Sequence, residues 1–189
     1  MNNKTSDNKL VEFSKSNPDV FEELVNRYWR RLFGYVRRIS YFSNEDIEDI
    51  LQDVFIKTYK NLNSFDNNLK FSSWIYRITR NCTIDAIRRK QSRPITIQMD
   101  INDAVNLFKS SVDLEEEVFK KGNLKKAKDI IKSLPLRYRE VMILKFLEEK
   151  TYEEIVDILK KPKGTIASLI NRGRKQLIKK AKRQNVIIE

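Results

Sequence analysis

Residues Thr151 to Arg183 read TYEEIVDILKKPKGTIASLINRGRKQLIKKAKR, and the spacing inside this stretch decides the fold. Thr151 and Glu154 stand three apart, the arrangement in which a threonine hydroxyl and a glutamate carboxylate satisfy each other's backbone N–H groups at a helix start. Ile155, Ile158 and Leu159 follow at helical spacing, so a helix of about ten residues is predicted. Lys161, Pro162, Lys163 and Gly164 break it, since proline offers no N–H and obstructs the preceding turn. Thr165 is then expected to cap a longer helix with Ile166, Ile170, Gly173 and Leu177 along one face. Helix, tight turn, helix is the order of a helix-turn-helix.

A plain helical hairpin would show the same spacing, and the outer face separates the two. At about 100° per residue, Ser168, Asn171, Arg172 and Lys175 gather opposite the apolar stripe, and all four are donors suited to base edges or phosphates. Upstream, SLPLRYREVMILKFLEE (residues 133–149) predicts a further core helix. Ser133 is the expected cap, Pro135 falls in the first turn, and Val141, Ile143, Leu144 and Leu147 recur at helical spacing.

The chain of 189 residues carries a formal net charge of +12, so its surface attracts polyanions, with nucleic acid ahead of an anionic membrane face. No apolar run approaches the roughly 20 residues that span a bilayer, and the polar start MNNKTSDNK lacks a signal-peptide core, so a cytoplasmic protein is expected and not a transmembrane one. The single Cys82 and the absence of histidine leave no disulfide, no usual zinc spacing and no histidine catalysis. No metal, cofactor or catalytic residue is expected. Cys82 reads as a small core residue. Helical periodicity runs from about Asp19 to Arg89 and fades at SRPITIQMD, while the terminal tails read as frayed. Basic residues outnumber acidic ones on both sides of this break, and acidic ones prevail between 96 and 125. The expected architecture is all-α, with two small helical domains at 1–93 and 126–189 joined by an acidic flexible linker at 94–125.

The first domain contains an acidic stretch, NEDIEDILQD (residues 44–53). Asn44 is expected to cap a helix through about Tyr59, with Ile47, Ile50, Leu51, Val54 and Phe55 facing the core. Its other side gathers Glu45, Asp49, Gln52, Asp53 and the apolar Ile56, a pattern that fits a protein-docking face with a greasy centre and a charged rim. Acids complementing the helix dipole account for Glu45 and Asp46 equally well, though poorly for Asp53. Carboxylates repel phosphate, so this face suits a protein. In FSSWIYRITRNCTIDAIRRK (residues 71–90), Phe71, Trp74, Ile75, Ile78, Cys82 and Ala86 form the inner stripe. Tyr76, Arg77, Arg80, Thr83, Ile84, Ile87 and Arg88 are expected outward or flanking, where rings stack on bases and guanidinium groups hold the backbone. Asp85 reads as an ordinary helix ion pair with Arg88 or Arg89.

Together these blocks resemble the extracytoplasmic-function sigma factors of bacterial RNA polymerase. FEELVNRYWRRLFGYVRRIS resembles the opening helices of sigma region two, DIEDILQDVFIKTYKNLNSF its core-binding helix, and FSSWIYRITRNCTIDAIRRK its promoter-melting and minus-ten-reading part. LPLRYREVMILKFLEEKTYEEIVDILKKPKGTIASLINRGRKQL resembles region four. The resemblance implies core RNA polymerase as a partner, through its beta-prime clamp and beta flap, with Asp49, Gln52, Asp53 and Ile56 docking on the clamp. It also implies promoter DNA and an anti-sigma factor as partners, and no small-molecule substrate. NSFDNNLKF is similar to the loop that captures a flipped minus-ten base, with Phe65, Asp66, Asn67 and Asn68 forming its pocket. Trp74, Tyr76, Arg77, Arg80 and Arg88 would melt and read the minus-ten element. Thr165, Ser168, Asn171, Arg172 and Lys175 would meet the minus-thirty-five element in the major groove. Ala167 and Leu169 stand where similar proteins often carry lysine and arginine. The linker from about Arg93 to Lys125 would thread near the polymerase cleft. A stand-alone helix-turn-helix regulator is the competing reading. A nucleic-acid enzyme finds only the surface stripe Asp46, Asp49 and Asp53 in its favour.

Overall fold

A computed structural model describes residues 5–92 and 130–183, so the expected linker lies outside the described residues. The first half holds four helices: α1 (Asp7–Ser16), α2 (Phe21–Ile39), α3 (Asn44–Lys60) and α4 (Phe71–Ser92). The second includes, among the described residues, α5 (Leu136–Phe146), α6 (Tyr152–Leu159) and α7 (Lys163–Arg183). Among the described residues every regular element is helical.

Helix α2 buries Leu24, Tyr28, Leu32, Tyr35, Val36 and Ile39, a spacing that returns to one face every turn. Helix α3 buries Ile47, Ile50, Leu51, Val54 and Phe55 as the pattern predicts. Each such side chain contributes roughly 1.5–3 kcal/mol of burial, which makes this stripe the bed on which α4 lies. Beneath the start of α4, the rings of Phe65, Phe71 and Trp74 meet at centroid distances of 5.1 to 5.8 Å.

Several expectations shift. Helix α1 lies in the terminal stretch expected to be frayed, yet it buries Leu10 and Val11 against α2. Arg27 holds its start by donating to Thr5 O at 2.7 Å and pairing with Asp7 at 2.9 Å. The cap of α3 is Ser43 rather than Asn44, its hydroxyl accepting from Asp46 N–H at 3.2 Å. Pro135, not Ser133, precedes α5; the Ser133 hydroxyl donates instead to Ile130 O at 2.7 Å. Thr165 does not cap α7, because the helix already begins at Lys163 and places Thr165 in its first turn.

The Thr151 and Glu154 capping box forms in both directions. Lys160 ends α6 in the left-handed region at φ 50° and donates its N–H to Val156 O at 2.8 Å, which turns the chain into α7. Ile166, Ile170, Gly173 and Leu177 are buried. Gly173 marks a close approach of α7 to α5: a Cβ there would stand 3.0 Å from Met142 Cγ, so a larger residue would oblige the Met142 side chain to shift. The halves also meet each other, α4 against α6 and α2 against α5, and their buried side chains form one continuous core.

Candidate functional site

Three surfaces carry the expected site residues. On α3, Asp49, Gln52, Asp53 and Ile56 are all exposed on one side, with Ile56 52% exposed although it is apolar. Tyr59, one turn beyond Ile56, is also exposed and rests on Phe21 at 5.2 Å. It extends the greasy centre, and its i+3 spacing from Ile56 was the signal for it. Asp46 pairs with Lys90 at 3.3 Å, whereas no ion pair engages Asp49 or Asp53 among the described residues. Both residues line an open groove of about 460 Å³ between α3 and α4, together with Ile50, Ala86, Arg89 and Lys90. Cys82 is buried beside Lys57, 3.4 Å from its Nζ, and burial pushes its thiol up, as befits a core residue.

The second surface is the segment from Phe65 through α4. Asp66, Asn67 and Asn68 are exposed at the loop's crown, and Asp66 accepts from Asn68 N–H at 2.9 Å and from its side-chain amide at 3.0 Å. Phe65 and Trp74, expected to touch DNA, are 5% and 7% exposed because each packs on the other and on Phe71. They hold the loop from below.

The outward face expected for α4 is not outward. Tyr76 is 2% exposed, Thr83 and Ile84 are buried, and Arg77 and Arg80 are half-buried. At Tyr76 and Arg80 the reason is the second half of the chain, which brings α6, Glu140 of α5 and Glu148 of the turn between them against α4. Tyr76 donates its hydroxyl to Glu148 Oε2 at 2.6 Å, and Glu148 Oε1 accepts from Arg38 at 2.5 Å. Arg80 donates Nε to Glu140 Oε1 at 2.8 Å and Nη2 to Oε2 at 3.3 Å, a two-pronged grip. Glu140 and Glu148 side chains are only 6% and 8% exposed. Lys150 lies 4.5 Å over the Tyr76 ring, and Tyr35 meets that ring at 4.9 Å. Burial, first, and the neighbouring carboxylates push the Tyr35 and Tyr76 hydroxyls up, so both stay neutral. Burial, first, also lowers the Lys150 ammonium.

Glu140 and Glu148 were not singled out by sequence, and neither was Arg38. Two carboxylates thus sit on the donors of Tyr76 and Arg80, and a carboxylate presents the same paired oxygens as a phosphate. Arg88 remains exposed on the opposite, free end of α4, in the Asp85 pair at 3.7 Å.

The third surface is α7. Thr165, Ser168, Asn171, Arg172 and Lys175 are all exposed on one face, and no ion pair engages Arg172 or Lys175 among the described residues. Ala167 is exposed among them, while Leu169 is half-buried against the core. Lys163 pairs with Glu153 at 2.7 Å and ties the start of α7 to α6. Lys180 donates to Ser133 O and Oγ at 2.9 Å each, so it serves the fold rather than the open face.

Known proteins match this arrangement along most of the chain. The family model described as sigma-70 region 2 matches residues 24–93, and that described as sigma-70 region 4 matches 124–177. The chain is 33% identical to "ECF RNA polymerase sigma factor SigW" of Bacillus subtilis over 189 aligned positions, 90% of this chain and 94% of that protein. Among solved structures, CnrH in complex with the cytosolic domain of CnrY has the same fold, with a TM-score of 0.70 at 20% identity over 95% of this chain and 99% of that one. The sigma factor RpoE in complex with the anti-sigma factor NepR from Bartonella quintana gives 0.63 at 24% identity, over 86% and 96%.

Proposed function

The chain belongs to the extracytoplasmic-function sigma factors of RNA polymerase, and from that premise we propose which of its surfaces does which part of initiation. It is an alternative sigma factor, which binds core polymerase and directs promoter recognition, DNA melting and the start of transcription. Asp49, Gln52, Asp53 and Ile56, extended by Tyr59, dock on the beta-prime clamp. Thr165, Ser168, Asn171, Arg172 and Lys175 read the minus-thirty-five element. Asp66, Asn67 and Asn68 take the flipped minus-ten base over the Phe65 and Trp74 floor, and Tyr76, Arg77, Arg80 and Arg88 hold the melted strand. The domain limits are 1–93 and 126–189. The chain itself makes no bonds; that chemistry is the polymerase's. It works in the cytoplasm.

One observation carries this reading. An exposed acidic face with an apolar centre and an exposed basic helix face, with none of Asp49, Asp53, Arg172 and Lys175 in an ion pair among the described residues, stand on separate halves of one chain, which suits a protein partner at one end and DNA at the other. The contacts of Glu140 and Glu148 with Arg80 and Tyr76 support a second step: this is a closed form, and the two halves part before the strand is held. A partner that keeps the halves together would silence the protein, and an anti-sigma factor like the one seen with the RpoE relative fits that role.

Transcription with purified core polymerase tests the assignment. The wild-type chain should start transcripts from its promoter without another initiation factor, and Asp49→Lys with Asp53→Lys should weaken core binding about tenfold or more. Since both sites are exposed, helical circular dichroism should not change. Unaltered core binding would return that face to simple dipole compensation.

A further inference from the structure

Helix α1 lies against the loop that joins α3 to α4, and two of its side chains reach the loop's crown. Asn8 Nδ2 donates to the backbone carbonyl of Asn67 at 3.0 Å and to that of Leu69 at 3.5 Å. One turn later, Glu12 Oε1 accepts from Asn67 Nδ2 at 2.7 Å. Lys15 steadies the same oxygen at 2.7 Å. Asn67 is therefore bonded to α1 through both its backbone and its side chain.

Its neighbours are arranged differently. Asp66 and Asn68 bond to each other, and Leu69 N–H closes the turn on Asp66 O at 2.9 Å. Neither makes a hydrogen bond to α1. Asp66 Oδ2 and Asn68 Oδ1 have no hydrogen-bond partner among the described residues. Phe65 and Leu69 anchor the ends of the crown on the core. Between those anchors stand three exposed polar residues, of which Asn67 is the one bonded to α1.

We propose that α1 is a positioning element for base selection: Asn8 and Glu12 hold Asn67 as a fixed strut, and Asp66 and Asn68 on either side of it meet the base. The inference rests on the assignment of this loop to the flipped minus-ten base and adds the part of the chain that shapes it. Asn67 then becomes a support rather than a reader, because its amide nitrogen is turned toward Glu12. A loop already ordered avoids the entropy of ordering when the base enters, and it presents one geometry against which wrong bases are rejected.

The test uses the full chain assembled with core polymerase and four single-stranded oligonucleotides that differ only at the captured base. Base preference is the ratio of their Kd values; affinity for an upstream minus-thirty-five duplex and thermal melting are followed in parallel. Asn8→Ala and Glu12→Ala should each narrow the preference about three- to tenfold, the span of one net hydrogen bond, with duplex affinity and melting unchanged. Glu12→Gln keeps an acceptor within reach of Asn67 Nδ2 and should restore the preference. Glu12→Ala combined with Asn67→Ala should lose no more than either alone, since both remove one bond.

Undiminished preference in the Asn8→Ala and Glu12→Ala chains overturns the proposal, as does a loss matched by an equal loss of duplex affinity. Asp66→Ala separates this failure from that of the loop assignment. If Asp66→Ala abolishes a preference that the α1 variants keep, only the role of α1 falls. If the wild-type chain shows no preference, or Asp66→Ala leaves it intact, the loop assignment falls too.

Discussion

Helices α4 and α7 offer the same kinds of side chain to nucleic acid, yet one is covered and the other is open. Tyr76 and Arg80 of α4 are held by Glu148 and Glu140 from the second half of the chain, while Arg172 and Lys175 of α7 project from an unobstructed face. Under the roles proposed for the two helices, the difference separates two steps of promoter use. A helix with a free face can search duplex DNA at any time, and its phosphate contacts need no rearrangement. A helix whose donors are satisfied by buried carboxylates must first lose those partners. On the proposed assignment, melting is tied to a change in the protein, and upstream recognition is not.

The largest expected effect falls on the covered helix. Glu140→Ala leaves Arg80 half-buried without its partner, and removing one side of a buried ion pair costs about 3–5 kcal/mol. Urea denaturation of the full chain should show it. A double-mutant cycle with Arg80→Ala should recover part of the loss, because the second substitution removes the stranded charge. If Glu140→Ala melts like the wild type, the pair is no clasp and α4 is as free as α7.

Next in size is the open helix. Arg172→Ala should cost about 1–3 kcal/mol of minus-thirty-five binding and relax the preference at one base pair, since a guanidinium grips guanine through two parallel bonds. Lys175→Ala should weaken every sequence alike and flatten the salt slope by about one unit. A selection from a promoter library distinguishes the two. Preference lost with Lys175 but kept without Arg172 would reverse the roles. The smallest effect belongs to Lys163 and Glu153, an exposed pair between α6 and α7: Lys163→Ala should leave the melting temperature where it is, because solvent screens such a pair.

The open helix was legible in the sequence, and the covered one only in part, for a physical reason. One apolar stripe on α7 faces α5 and α6, and the opposite face is exposed, so the 3.6-residue period states burial correctly at Ile166, Ile170, Gly173 and Leu177. Helix α4 lies between α3 and α6, and its second buried side is built from Tyr76, Thr83 and Arg80. Those residues have the chemistry of an exposed nucleic-acid face and of a polar interface alike, and period alone does not distinguish them. The partners that decide it, Glu140 and Glu148, are more than fifty residues away. The acidic face of α3 was readable because Ile56 breaks an otherwise charged side. Helix α1 was not, because Leu10 and Val11 are its only buried apolar residues in a polar stretch, and its bonds to Arg27 and Asn67 join residues far apart in sequence.

Binding of a single-stranded minus-ten oligonucleotide to the free chain, without polymerase, addresses the covered helix most directly. The wild-type chain should bind a minus-thirty-five duplex but not the single strand, and Glu140→Gln with Glu148→Gln should admit the strand while leaving duplex affinity unchanged. Strand binding by the wild-type chain equal to that of the double variant would show that the two carboxylates cover nothing that DNA needs.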